Sequence, residues 1–298
     1  MKIAVLMSTY NGHKYLDKQL KSIAEQTVIN DLTLYIRDDG SSDSTFDIIN
    51  NWEDKINIVL YKEENAGPAI SFWKLLMKPD IKADYYAFCD QDDIWDRDKL
   101  ERGIEKLKGN VQLYACNCRI INENDTIIKE NRVSGTPNMG IQRLFISGCT
   151  QGCSMIFTNN LREYIKGQNI TCIPMHDIIL MLYAKCIGEI YWDEKPRFGY
   201  RVHSGNVVAK TNKTQIQKLK TVWWNWKNSS KNSMAVVADE LISNENKLEP
   251  DDYKYLAYVR DYKINIFHKG SIFLKAGANG VDKKAVRSYR VRILLNLL

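Results

Sequence analysis

The first hundred residues alternate strand-length apolar runs with helix-length amphipathic segments, and few folds accommodate that order. "KIAVLMS" from residue 2 is a dense apolar run. It is followed by "GHKYLDKQLKSIAEQT", with Leu16, Leu20 and Ile23 at helical spacing. "LTLYIRD" predicts the second strand. "SSDSTFDIINNW" predicts a capped helix with Phe46, Ile49 and Trp52 on one face. "INIVLY" and "GPAISFWKLLM" repeat the pair, with Pro68 suited to a first helical turn. "DYYAFCD" and "DRDKLERGIEKLKG" repeat it once more, with Leu100, Ile104 and Leu107 in register. Such alternation implies βαβ units and a mainly parallel sheet flanked by helices, an α/β class.

Open sheets of this kind bind ligands beyond the carboxyl ends of their strands. Those ends read Ser8-Thr9-Tyr10-Asn11, Asp38-Asp39-Gly40, Asn65-Ala66-Gly67 and Asp90-Gln91-Asp92-Asp93, so four polar turns line one edge. The last crowds three carboxylates into four positions. Two such groups about 4 Å apart repel by roughly 1 kcal/mol in water and roughly 4 kcal/mol when partly buried. A divalent cation offsets that cost, since hard ions take carboxylate oxygens. A solvated loop with an acidic helix start is the alternative.

No GxxxxGK[ST] and no GxGxxG follows the first strand, so a glycine-rich phosphate cradle is not the design. A metal held by Asp90 and Asp92 would neutralise phosphates instead. Asp39 could accept from a base N–H or a ribose hydroxyl, or serve only as a capping acid in "DDGSSD". In "PMHDIIL", Asp177 opens a strongly apolar helix. It is either a cap favoured by the helix dipole or a general base for an acceptor hydroxyl. His203 in "YRVHSGN" is either structural or a metal ligand.

From about 110 to 206 the pattern is mixed, and a soft boundary falls near 207. Residues 1–209 carry 25 Lys+Arg and 28 Asp+Glu, whereas 210–298 carry 17 and 8. The basic third interleaves Lys with Trp223, Trp224 and Trp226. It ends in "KKAVRSYRVRILLNLL", where Val286, Tyr289, Ile293 and Leu297 are helically spaced beside Lys283, Arg287 and Arg290. That pattern suits an interfacial helix on anionic lipid, or a helix that packs on the catalytic domain or on a second copy as a homodimer. Nothing suggests a nucleic-acid partner. The longest dense apolar stretch, "IILMLYA", is far short of the ~20 residues that span a bilayer, and the N-terminus lacks a signal-peptide pattern. Seven cysteines with no CxxC pair read as reduced, mostly buried thiols of a cytoplasmic protein.

Taken in order, "STYNG", "RDDGSSDST", "ENAGPAISF", "DQDDIW", "QGCSMIF", "MHD" and "GYRVHSGNVV" resemble the family-2 glycosyltransferases of the GT-A fold. The later motifs are similar to the bacterial rhamnosyltransferase-like branch that builds cell-wall and capsular polysaccharides. The resemblance covers residues 1 to about 209. It implies a GT-A catalytic domain over 1–206 and a helical appendage over 207–298 for membrane association or oligomerisation. It also implies inverting transfer from a dTDP- or UDP-sugar, helped by Mn²⁺ or Mg²⁺, to a saccharide acceptor carried on a lipid such as undecaprenol. The chain would then work at the inner face of the plasma membrane.

By that resemblance Thr9, Tyr10 and Asn11 flank the nucleoside and Asp39 contacts the base, with Asn65, Gly67 and Gln91 also in the donor site. Asp90 and Asp92 are the outer acids of the DxD motif, Asp92 the more direct metal ligand and Asp90 nearer the ribose. His203 completes the metal or diphosphate site, and Asp177 matches the catalytic base. Two departures bear on the sugar: Ile178 and Ile179 follow "HD" where the branch has aromatics, and "YRVH" stands for "YRQH". Rhamnose from dTDP is the first expectation, with UDP-hexoses open. The competing readings are a non-catalytic, membrane-associated nucleotide- or saccharide-binding module and a metal-dependent phosphatase. The first has no need of Asp177, and the second would place an acid after strand one.

Overall fold

In the computed structural model, β1 (Ile3–Thr9) is buried along almost its whole length, Ile3 to Met7 at 1% exposure or less. A strand buried on both faces must have strand neighbours on its edges and helices over its faces. It pairs in parallel with β2 (Leu32–Asp38) on one side and β4 (Tyr85–Cys89) on the other, and β2 pairs in parallel with β3 (Ile58–Lys62). α1 (Leu16–Ala24) turns Leu16, Leu20 and Ile23 onto this sheet, all fully buried. Each such side chain contributes roughly 1.5–3 kcal/mol. α2 (Thr45–Asn50) and α3 (Pro68–Met77) complete the alternation. Gly67, at φ 78°, caps α3 in a backbone region that L side chains avoid, and Pro68 begins it.

The structure describes residues 1–203, 234–244, 248–277 and 281–298, which fall into two compact units. The first comprises Met1–Pro137, Thr150–Lys166 and Gly188–Ala209. Its sheet continues as β5 (Ile94–Trp95), β6 (Val111–Ile121), β7 (Ile127–Lys129), β8 (Met155–Thr158) and β9 (Glu189–Arg201). The strand order is β3-β2-β1-β4-β8-β6-β9-β5, with β7 on β6. The sheet is therefore mixed. β8 runs antiparallel to β4 and β6, β9 is parallel to β6, and β5 is antiparallel to β9. The β6–β9 register breaks at Asn117, opposite Pro196, where a residue without an N–H costs no ladder bond. α4 (Lys99–Lys106) and α6 (Asn159–Lys166) cover the sheet, and α6 was not foreseen from the sequence.

The second unit comprises Asn138–Cys149, Gly167–Ile187 and Lys210–Leu298. The division thus runs through three segments rather than one cut at 206/207. It places α5 (Ile141–Ile146) and α7 (His176–Ile187) with α8 (Met234–Asn244), α9 (Pro250–Asp261), α10 (Ile266–Lys275) and α11 (Lys283–Leu294). α7 buries Ile179 to Ala184 without interruption, as a helix apolar all round must. The segment "DDYKYLAYVRDYKINIFHKG" folds as two helices. Asn265 breaks it by capping α10, accepting from the amides of Phe267 and His268.

The tail stripe, expected to meet lipid, the catalytic domain or a second copy, is buried within this unit. Val286, Tyr289, Ile293 and Leu297 are all buried. Tyr289 Oη lies 2.8 Å from Tyr255 Oη, and Tyr262 Oη accepts from the Leu298 amide. Trp223, Trp224 and Trp226 lie outside the described residues. All seven cysteines are free and five are buried. Among the described residues no helix is long and apolar enough to cross a membrane.

Candidate active site

The strand order reverses direction between β1 and β4, which opens a crevice at their carboxyl ends. The turns after these two strands are tied together there. Gln91 Oε1 accepts from the Tyr10 amide at 2.9 Å, and its Nε2 donates to the Tyr10 carbonyl at 3.1 Å. Gly12 makes room for that carboxamide, since a Cβ there would sit 2.4 Å from Gln91 Oε1. Asn11 takes φ 47°, and its side chain accepts from the Ser42 amide, so the β1 turn is also fastened to the β2 turn. Thr9, fully buried, donates to Asp38 at 2.8 Å, while the Tyr10 ring is half exposed over the crevice.

Asp39 is buried and heavily engaged. Its carboxylate accepts from the Ala66 and Gly67 amides at 2.8 and 2.9 Å and pairs with the buried Arg37. Asn65 donates to the Asp39 carbonyl at 2.9 Å. Asn65, Gly67 and Asp39, three donor-site candidates, therefore form one interlocked corner. Glu63 also holds Arg37. Burial opposes ionisation of Glu63, but hydrogen bonds from Lys78 and Arg37 outweigh it and hold its carboxyl at about 2.

The acidic turn carries the other candidates. His203 Nε2 lies 2.7 Å from Asp92 Oδ2, both side chains 15% exposed. The His203 ring packs on Tyr15, centroids 4.9 Å apart, and the Arg201 guanidinium lies 4.6 Å from the same ring. Arg201 is fully buried. Its Nε donates to the Asp92 carbonyl, its amide to Asp93 Oδ1 and its Nη1 to the Asn122 carbonyl, and it pairs with Asp125. The sequence reading passed over Arg201, although in a strand it shares a face with His203 two residues on.

Asp93 and Cys153 were missed too. With Asp90 they bring three candidate ligand atoms within 4.8 Å of one another. Burial and the neighbouring Asp92 and Asp90 push the Asp93 carboxyl well above its ordinary range. Burial, Asp93 and Asp90 do the same to the Cys153 thiol. A protonated thiol is a poor ligand for a hard cation. Of the three expected ligands, Asp92 and His203 stand together, whereas the Asp90 carboxylate lies with the buried Asp93 and Cys153. Carboxylate oxygens are the donor type that Mn²⁺ and Mg²⁺ take.

Asp177 belongs to the second unit, in the first turn of α7, where its Oδ1 accepts from the Ile178 amide at 2.8 Å. Burial pushes the adjacent His176 down to about 3, so that imidazole is neutral. A cavity of about 670 Å³ lined by Lys2, Asn30, Asp31 and Thr33 opens at the amino-terminal edge of β1 and β2. It faces away from all four polar turns, on the edge that α/β sheets do not use for ligands.

Comparison with known proteins bears on the family and the fold. The family model for glycosyl transferase family 2 matches residues 4–165. The dTDP-rhamnosyl transferase RfbG of Shigella flexneri is 29% identical over 256 residues, covering 80% of this chain and 87% of its own length. Staphylococcus aureus TarS 1–349, solved with UDP-GlcNAc, gives a TM-score of 0.62 at 16% identity, over 99% of this chain and 80% of that one. The mannosyltransferase PcManGT of Pyrobaculum calidifontis, solved with GDP-Man and Mn²⁺, gives 0.55 at 16% identity, over 100% of this chain and 81% of that one. At such identities the structural likeness speaks for the GT-A fold alone.

Proposed function

The chain belongs to glycosyl transferase family 2, and from that premise we propose that it is an inverting, metal-assisted transferase of bacterial surface-polysaccharide synthesis. The donor is a nucleoside-diphosphate sugar. We put dTDP-rhamnose first, since the Shigella flexneri relative is named for it, and UDP-hexoses second. The observation that carries the reading is the Asp92–His203 pair on the turn whose Gln91 is fastened to the β1 turn. The turn that bears Asp90 and Asp92, with His203 brought to it from the end of β9, thus borders the crevice where a nucleotide would lie.

The residues divide the work as follows. Thr9, Tyr10 and Asn11 flank the nucleoside, and the exposed Tyr10 ring supplies its apolar wall. Asp39 contacts the base, while Asn65 and Gly67 fix its corner. Gln91 holds the turn, and Asp90 reaches the ribose. Asp90, Asp92 and His203 would hold Mn²⁺ or Mg²⁺, which supplies Lewis-acid neutralisation of the departing diphosphate. Asp177 is assigned the proton of the acceptor hydroxyl, as the general base of the transfer. The transfer is inverting and passes through an oxocarbenium-like transition state. The acceptor is a lipid-linked saccharide, and the protein is peripheral at the cytoplasmic face of the membrane.

Calorimetric titration of UDP, dTDP and GDP, with and without Mn²⁺, tests the proposal on wild type and Asp92→Asn. Metal-dependent binding of one nucleotide, weakened in the variant, is expected. Folded protein that binds none of the three would overturn it in favour of a non-catalytic module.

A further inference from the structure

α10 leaves most of its apolar surface in solvent. It buries Ile272 and exposes Ile266 (74%), Phe267 (85%) and Leu274 (74%), with Ile264 just before it at 89%. At 100° per residue, Ile266, Gly270, Leu274 and Phe267 share one arc. Phe273 borders that arc and, with Gly277, Val286, Val291 and Leu294, lines a groove of about 520 Å³ between α10 and α11. Val291 and Leu294 are themselves 44% and 60% exposed, so the apolar face runs from one helix onto the other. Scattered exposed apolar residues need no explanation, whereas a contiguous set does.

Its surroundings carry one sign of charge. Residues 262–298 contain eight Lys and Arg against a single acid, Asp282. Lys283, Arg287 and Arg290 line the groove, and the Arg290 guanidinium lies 5.1 Å from the Phe273 ring. Apolar side chains framed by cations suit a partner with an apolar interior beneath an anionic surface.

We propose that the joint face of α10 and α11 docks the protein on an anionic phospholipid bilayer. Ile264, Ile266, Phe267 and Leu274 enter the acyl boundary, while Lys283 and Arg287 meet the phosphates. This deepens the peripheral-membrane part of the proposed function and relocates it. The tail stripe Val286, Tyr289 and Ile293 is spent on the core of the unit. Deleting 280–298 would therefore unfold that core rather than test the surface, and substitutions at exposed positions are needed.

The test is flotation of the full chain with phosphatidylglycerol-containing and pure phosphatidylcholine vesicles, with oligomeric state followed by light scattering. It needs no donor, acceptor or turnover, so its failure is separable from failure of the transferase reading. Ile266→Asp/Phe267→Asp is chosen because acids in a first helical turn are tolerated. It should lower binding to anionic vesicles by roughly tenfold or more, with thermal unfolding unchanged. Lys283→Glu/Arg287→Glu should abolish the preference for anionic over neutral vesicles. The proposal is overturned if the wild type does not float with anionic vesicles, or if both variants float as well as it does. It is overturned equally if the wild type ignores vesicles and is a dimer that Ile266→Asp/Phe267→Asp dissociates. The face would then belong to a second copy of the chain.

Discussion

His203 Nε2 stands 2.7 Å from Asp92 Oδ2 although 111 positions separate them. β9 makes this meeting, because it runs beside β6 and releases the chain at the acidic turn. If the pair shares a cation with Asp90, then His203→Ala and Asp92→Asn should each weaken nucleotide binding in Mn²⁺. The expected loss is roughly tenfold or more, about 1.4 kcal/mol. Binding without metal should change little. Calorimetry in Mn²⁺ and in chelator separates the cases. Equal losses in both would mean that the substitutions merely damage the turn.

Arg201 is the post on which that turn hangs. Its hydrogen bonds reach the Asp92 and Asn122 carbonyls, and it pairs with Asp125 at 2.6 Å. Lysine keeps the charge but cannot make these contacts at once. At roughly 1.5–3 kcal/mol per hydrogen bond to a charged group, Arg201→Lys should destabilise the protein by about 3 kcal/mol. Urea unfolding measures this. A variant within a few tenths of wild type would remove Arg201 from the support of the site.

Much of this was legible in the sequence, and the limits have physical causes. β1 and β4 are buried on both faces, β2 largely so and the edge strand β3 only in part, yet each reads as an apolar run with a polar end, and the four ends identify the crevice. Asp93 escaped because burial is invisible in a string: it is written like Asp90 and Asp92 but is fully enclosed. Arg201 was within reach, since strand alternation puts it on the face of His203. The placement of α5 and α7 with the C-terminal helices has no local signature, because it depends on contacts between distant segments. The tail stripe left its alternatives open for a similar reason. Helical periodicity is the same whether the apolar face meets lipid or Tyr255.

Asp39 should prove structural as well as functional. Asn at this position would turn an NH₂ group toward backbone amides that now donate to the carboxylate. It would also strip Arg37 of one counter-charge. Breaking a buried pair costs roughly 3–5 kcal/mol, and the low end is expected because Glu63 still holds Arg37. Asp39→Asn should therefore lower stability by about 3 kcal/mol in urea melts and lose nucleotide binding as well. Full stability with lost binding would instead assign Asp39 to the ligand alone.

Glu63 gives the fold an acid limit. Its carboxyl is held at about 2 against an ordinary 4.5. A depressed carboxyl contributes stability that is complete above the unfolded value and lost as pH falls toward the folded one. Stability should therefore decline from about pH 4.5 to about pH 2. Asp43 adds to the same slope: burial opposes its ionisation, but Thr45 and His13 hold it at about 2. Glu63→Gln should flatten the profile of urea midpoint against pH in that window. A profile unchanged from wild type would show that its bonds to Arg37 and Lys78 contribute nothing net.

Asp177 offers the cleanest separation of two roles, because Asn can perform one and not the other. Its Oδ1 accepts from the Ile178 amide at the start of α7, and an asparagine oxygen can keep that bond. Asparagine gives up only the carboxylate charge that the helix dipole favours in the first turn, about 0.3–1 kcal/mol. If Asp177 only caps α7, then Asp177→Asn should leave both stability and turnover near wild type. If it is the general base, an amide cannot take the acceptor proton, and turnover should fall by roughly 10²–10⁴ with thermal stability and donor binding retained. The second outcome is expected, read from transfer rate and calorimetry on the same preparation. Asp177→Ala would serve less well, since it removes cap and base together.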